Sequence, residues 1–299
     1  MYTRILIPLD GSKIAEAVLP YARLLAGNLK VPVDLLTVLD VAEIGRSLGA
    51  ERLMHLDDVI KFQVLRSEEY LTNIAKTFPG ETVACTVAKG SIEDLILNKA
   101  EADKGTLVTM ATHGRSGLTR WLLGSIAEKV LRAAKNPLLL VRANEEAATD
   151  GKARLDSVTV PLDGSELAES ILPSVVELAQ AMRLAVRLIR SYSVTEMIAS
   201  YEDYLSNLED LPERSKNEAT HYLDAKAQEL KKLGLTDVAA IALEGEPAEK
   251  IIEAAKGAPE SMIAMCTHGR SGVRRWVLGS VTEKVVRHSG NPALVVRAT

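Results

Sequence analysis

Arg4-Ile5-Leu6-Ile7-Pro8-Leu9-Asp10-Gly11-Ser12 reads as a short apolar strand running straight into a turn and a helix start. The pattern returns as Ser157-Val158-Thr159-Val160-Pro161-Leu162-Asp163-Gly164-Ser165. A longer stretch returns as well. His113-Gly114-Arg115-Ser116-Gly117 through Arg120-Trp121 to Gly124-Ser125 and Val130 reappears from His268 to Val285, departing only at Leu118, Thr119, Leu122, Ile126 and Ala127. Asn136-Pro137-Leu138-Leu139-Leu140-Val141-Arg142 is matched by Asn291-Pro292-Ala293-Leu294-Val295-Val296-Arg297. Two copies of roughly 145 residues are domains, because solenoid repeats are several-fold shorter and more numerous. Between the matching segments the copies diverge; Lys30 to Gly45 scarcely resembles Arg183 to Ile198. The retained stretches therefore carry a local constraint, either a backbone geometry or a site.

Each copy alternates strands with helices. In the first, Ile5 to Pro8 is a strand, Ser12 to Ala26 has helical spacing, and Val33 to Val38 is the next strand. A long amphipathic stretch, about Glu51 to Thr77, precedes a strand at Thr82 to Val87 and a helix at Ser91 to Ala102. Thr106 to Ala111 is an apolar strand, Ser125 to Ala134 a helix and Pro137 to Val141 a last strand. The second copy repeats the order, its long helical stretch falling at about Asp203 to Leu233. The expected fold is α/β: two tandem doubly wound domains, each a five-stranded parallel sheet with helices on both faces. Residues 1–144 form the first domain, the polar segment 145–152 a linker, and residues 153–299 the second domain.

Composition narrows the function classes. The 299 residues carry 36 Lys plus Arg against 40 Asp plus Glu, a net charge of −4, which gives no reason to expect nucleic acid or an acidic membrane as partner. Cys85 and Cys266 stand far apart and form no redox, zinc or disulfide framework. The first apolar run is too short for a signal or membrane segment, so the expected location is cytoplasmic.

The loops after the first and fourth strands, Pro8-Leu9-Asp10-Gly11-Ser12 and Ala111-Thr112-His113-Gly114, open on the carboxyl edge of the sheet. If those strands are neighbours at the switch point, the loops converge on one crevice. Gly114, Gly117 and Gly124 let backbone N–H groups approach a ligand, and Gly124-Ser125 opens a helix whose first N–H groups form an anion site. Arg115 and Arg120 add positive charge, and the whole reads as a phosphate cradle. A structural alternative stands beside it. Ser125-Ile126-Ala127-Glu128 and Ser280-Val281-Thr282-Glu283 both fit the S-x-x-E capping box. Asp10 and Asp163 suit the polar edge of a base or ribose, and equally an ordinary turn and helix cap. His113 and His268 lack partners at metal-ligand spacing and read as hydrogen-bonded loop histidines, while Trp121 and Trp276 read as apolar anchors. No catalytic triad is legible, and neither a Walker-type nor a dinucleotide-binding glycine pattern is present.

Together these segments resemble the universal stress protein family, in tandem, over nearly the whole chain. Its ATP-binding members carry G-x2-G-x9-G-[ST]; Gly114, Gly124 and Ser125 match the last three elements, as do Gly269, Gly279 and Ser280, with Ala111 and Cys266 at the first glycine. The resemblance implies an adenine nucleotide alpha hydrolase-like fold and an adenine nucleotide, ATP or AMP, with Mg²⁺ reaching the site on the phosphates. It implies a binding set of Pro8, Leu9, Asp10, Val38, Met110, Ala111, Gly114, Arg115, Gly117, Gly124, Ser125, Ile126 and Ala127 in the first copy. In the second copy the set is Pro161, Leu162, Asp163, Gly269, Arg270, Gly279, Ser280, Val281 and Thr282. Cys266, and Ser191 in place of an apolar residue at the adenine wall, depart from the pattern and favour the first copy. The resemblance also implies an intramolecular pseudo-dimer through the last strands, Pro137 to Val141 and Pro292 to Val296, and is compatible with a homodimer. The expected function is a stress-associated regulatory protein that binds an adenine nucleotide. The alternatives are a slow ATPase or phosphotransferase, since no base is evident for an attacking water, and a nucleotide-free scaffold with degenerate sites.

Overall fold

The computed structural model describes residues 1–48, 55–78, 80–112, 123–142, 152–193, 211–269 and 278–297. The chain falls into two compact units, Met1–Ala153 and Arg154–Thr299. The expected linker lies almost entirely outside the described residues.

The first unit comprises strands β1 (Arg4–Pro8), β2 (Val33–Leu39), β3 (Val83–Lys89), β4 (Thr106–Ala111) and β5 (Leu138–Val141), with helices α1 (Leu19–Leu29), α2 (Val41–Ser47), α3 (Leu56–Ala75), α4 (Ile92–Glu101) and α5 (Ser125–Ala133). The strand order is β3-β2-β1-β4-β5, and every pairing is parallel. Because β1 pairs with both β2 and β4, the order reverses at β1, and the condition for a switch-point crevice between the first and fourth strands is met. Strand β4 is buried at every position and β5 likewise, as expected of strands covered on both faces. Edge strand β3 is mostly half-buried or exposed.

The helix expected from Ser12 begins later. A short 3₁₀ turn occupies Ala15–Val18 and α1 starts at Leu19, with a proline in its first turn. Pro20 has no N–H to give to a preceding turn, so it belongs at a helix start, where that donor has no partner anyway. The segment after β2 also forms a helix the periodicity did not single out, α2, whose N-cap Asp40 accepts a hydrogen bond from Glu43 N–H at 2.9 Å.

The second unit repeats the plan. Its strands are β6 (Ser157–Pro161), β7 (Ala185–Tyr192), β8 (Val238–Glu244), β9 (Ser261–Cys266) and β10 (Ala293–Val296). Its helices are α6 (Glu166–Glu169), α7 (Leu172–Met182), α8 (Leu211–Lys232), α9 (Pro247–Lys256) and α10 (Ser280–His288). Strand order is β10-β9-β6-β7-β8, again parallel throughout. One face of this sheet packs Ile189, Ile263 and Met265 against Ala248, Ile251, Ile252 and Ala255 of α9 and Val285 of α10, which fixes both helices on that face. Among the described residues no helix is long and apolar enough to cross a membrane.

Candidate ligand-binding site

Strands β6 and β7 run side by side, Leu162 N–H donating to Ile189 O at 2.9 Å, so Asp163 emerges at the carboxyl edge beside the end of β7. Asp163 Oδ1 accepts from Ser165 N–H at 2.9 Å and from the Ser165 hydroxyl at 2.6 Å. Ser165 Oγ in turn accepts from Ala168 N–H at 3.2 Å and caps α6. Asp10 repeats the turn, accepting from Ser12 N–H at 2.9 Å, and Ser12 Oγ accepts from Ala15 N–H at 3.1 Å. The turn reading of Asp-Gly-Ser is therefore realised in both copies, and the helix-cap reading in the second, where Ser165 is the N-cap of α6. In the second unit the carboxylate has another neighbour, because a Cβ built on Gly269 would overlap Asp163 Oδ2. Glycine at 269 lets the loop after β9 close onto the loop after β6.

The starts of α5 and α10 decide between capping box and anion site. The N-cap residues are Gly124 and Gly279, with no side-chain cap. Ser125 and Ser280 are the first helical residues. Neither serine is the N-cap, so the capping-box reading is corrected. Glu128 and Glu283 turn the other way, accepting from Arg132 and Arg287 one turn later at 2.9 Å. The glycine N–H groups themselves are engaged: Gly124 donates to Thr112 O at 2.7 Å and Gly279 to Thr267 O at 2.9 Å. This corrects the expectation that those two amides face a ligand. Their role is close approach, since a Cβ on Gly279 would stand 2.9 Å from Thr267 O. The first intrahelical bonds are Glu128 to Gly124 and Glu283 to Gly279, both 2.9 Å. The N–H groups of Ser125, Ile126 and Ala127, and of Ser280, Val281 and Thr282, lie ahead of that first bond and have no intrahelical acceptor. They carry the positive end of the helix dipole.

In the second unit these parts surround a cavity of about 330 Å³. Pro161, Leu162, Asp163, Gly269, Gly279, Ser280, Val281 and Thr282 all line it, as does Ser191. Arg270 lies outside the described residues, as do Gly114, Arg115, Gly117, His113, Trp121 and Trp276. In the first unit Pro8 ends β1 and Leu9 and Asp10 follow it, Val38 sits near the end of β2, and Met110 and Ala111 end β4. Gly124 joins them through its bond to Thr112 O, which brings Ser125, Ile126 and Ala127 to the same edge.

Three side chains set the chemistry of the cavity wall. Cys266 Sγ lies 3.1 Å from Ser170 Oγ and 3.7 Å from Ala168 O, and burial pushes its thiol up to about 11. Such a thiol is neutral at physiological pH and unsuited to nucleophilic work. Thr282 is buried and donates to Cys266 O at 2.9 Å, tying the helix start to the strand end. His268 Nδ1 is 3.0 Å from Thr267 Oγ1, which realises the hydrogen-bonded loop histidine, while its Nε2 is buried without a partner. Among the described residues no group of three or more His, Cys, Asp or Glu side chains is placed to hold a metal ion.

The cavity also involves Arg190 and Lys250, which periodicity did not flag. Arg190 is buried in β7, over the Tyr222 ring at 5.0 Å and paired with Glu218 at 3.1 Å. Burial first, then the hydrogen bond to Glu169, pushes the Tyr222 phenol well above its usual value. Lys250 reads in sequence as part of a solvated helix face; comparison with its counterpart in the other copy was the signal that could have found it.

Two doubly wound α/β domains, the second with a cavity at the carboxyl edge of its sheet and a helix start opening on it, define the architectural class. The family model of universal stress proteins matches residues 1–142 and 155–297, and the chain belongs to that family. A universal stress protein of Mycolicibacterium smegmatis is 22% identical over 303 residues, covering 98% of this chain and 96% of the relative. One from Methanocaldococcus jannaschii is 30% identical over 143 residues, 48% of this chain and 83% of its own length. Among solved structures, a universal stress protein from Archaeoglobus fulgidus shares the fold with a TM-score of 0.71 at 20% identity, over 99% of this chain and 98% of the other.

Proposed function

We propose that the protein is a stress-associated regulator that binds a nucleotide at the carboxyl edge of each sheet, an adenine nucleotide, AMP or ATP, in the first unit. The observation that carries this reading is the start of α10, where N–H groups without intrahelical acceptors line a cavity whose other wall holds Asp163. The residues fit the ligand. The cavity volume falls at the lower end of the range of about 300–1,000 Å³ typical of small-molecule sites, which suits a nucleoside monophosphate. In the second unit Ser280, Val281 and Thr282 would hold phosphate, Asp163 the sugar or base, and Ser191 the base wall. In the first unit Ser125, Ile126 and Ala127 would hold phosphate, with Asp10 and Val38 toward the nucleoside. Mg²⁺ would be carried on the phosphates, where it neutralises their charge. Occupancy would select the partner by stiffening the loops that bracket the nucleotide.

A charge placed at the helix start separates binding from folding. Ser125→Asp with Ser280→Asp puts carboxylates where helices favour them, so folding stability is kept or rises by about 0.3–1 kcal/mol per site. The same carboxylates repel phosphate. Calorimetric titration of the full chain with AMP and with ATP is expected to show binding in the wild type and none in the double variant. Absence of binding in the wild type, or binding unchanged in the variant, overturns the proposal.

A further inference from the structure

The two units share a glycine N-cap and a serine at the helix start, Gly124-Ser125 and Gly279-Ser280, but differ at the opposite end of the edge. Crossing the sheet from α10, the cavity passes β9, β6 and β7 and ends against β8 and α9, at Leu243, Pro247 and Lys250. The equivalence of this end in the two units is set by hydrogen bonding. Gly90 N–H donates to Leu39 O and Gly245 N–H to Tyr192 O, each at 3.0 Å, and both glycines have positive φ, 145° and 129°. The strand registers place Val38 beside Ala88 and Ser191 beside Leu243. Over the first glycine lies Leu95, whose Cδ1 is 3.3 Å from a Cβ built on Gly90. Over the second lies Lys250, whose Cε is 2.9 Å from a Cβ built on Gly245. An apolar end with Val38 and Leu95 in the first unit is thus matched by Ser191 and a lysine in the second.

The stem of Lys250 is held against Gly245 while its ammonium pairs with Glu253 Oε2 at 2.9 Å. That partner is 72% exposed, so the pair is a weak surface contact and the ammonium can exchange it for a ligand atom. An ammonium has three donors and no acceptor. Facing a purine, it is repelled by a 6-amino group and attracted by a 6-oxo group. Asp10 and Asp163 are common to both units and cannot discriminate between them.

Resting on the nucleotide reading above, we propose that Lys250 is a specificity-determining residue: the second unit takes a 6-oxopurine nucleotide, while the first takes adenine. The ligand's phosphate lies at α10 and its oxo group toward α9. The division of labour between the copies would let one chain respond to two nucleotide pools.

The test uses the full chain with one site silenced at a time. With Ser125→Asp, the second site is titrated calorimetrically with GMP and AMP, alone and combined with Lys250→Leu. GMP is expected to bind more tightly than AMP, and Lys250→Leu to weaken GMP roughly tenfold while leaving AMP unchanged or tighter. With Ser280→Asp, Leu95→Lys is expected to move the first site toward GMP. A thermal melt confirms folding, and each substitution installs the residue that the other unit already tolerates. A GMP-to-AMP preference unchanged by both substitutions overturns the specificity proposal while leaving the nucleotide reading intact. Wild-type protein that binds neither nucleotide overturns both.

Discussion

Gly269→Ala is a one-carbon change whose consequence follows from the geometry. All three atoms nearest to a Cβ at 269 belong to Asp163, with Cγ at 3.1 Å and Oδ2 overlapping. The carboxylate must swing away, and doing so breaks the bonds that Oδ1 accepts from Ser165 N–H and Ser165 Oγ. Hydrogen bonds to a charged group contribute roughly 1.5–3 kcal/mol each. Water recovers part of this at the half-buried carboxylate, leaving a net loss of about 2 kcal/mol. For a unit of this size that lowers the melting midpoint by roughly 4–8 °C. The double-mutant cycle with Asp163→Ala is decisive, because without the carboxylate the new methyl meets none of those atoms. Urea denaturation followed by circular dichroism is expected to give a coupling energy of about 2 kcal/mol. If Gly269→Ala is equally destabilising with and without Asp163, the closure of the two loops onto each other has been misread.

Further outcomes follow from the same contacts. Ser280→Ala removes no cap and is expected to change stability by less than ~0.5 kcal/mol, whereas Ser165→Ala removes a true N-cap and costs about 1 kcal/mol, both read from urea midpoints. Thr282→Val keeps the shape but deletes the bond to Cys266 O, with an expected loss of about 1 kcal/mol in the same assay. Burial raises the Cys266 thiol from near 9 to about 11, so the unfolded chain ionises first as pH rises. The associated stability, about 2–3 kcal/mol, is fully present below pH 9 and lost as pH climbs through about 11. Comparing wild type with Cys266→Ala between pH 8 and 11 isolates that slope, and parallel curves would refute the assignment.

Much of the fold was legible because parallel strands covered on both faces leave continuous apolar runs, as in Thr106 to Ala111 and its counterpart Ser261 to Cys266. The repeat supplied the domain plan, and Asp-Gly-Ser with Gly-Ser marked the two loops that β1 and β4 bring to one edge. Helix starts were less legible. The serines at 125 and 280 satisfy the capping-box pattern, yet Gly124 and Gly279 take the cap position, because their N–H groups are drawn to the carbonyls of Thr112 and Thr267. That competition between a local motif and a bond across the loop is not written in spacing. Proline placement was readable in principle: Pro20 and Pro173 each fall in the first turn of a helix, and α1 starts later than periodicity alone suggests.

Sequence alone determined that this chain is a doubled α/β unit with a glycine-rich segment repeated after the fourth strand of each copy, because hydrophobic periodicity and turn chemistry are local properties. Only the tertiary structure decided which amides remain available at the helix starts and which residues meet around the second unit's cavity. Asp163, Lys250 and Thr282 are far apart along the chain; their meeting depends on strand order and register, which act between segments and leave no trace within any one of them.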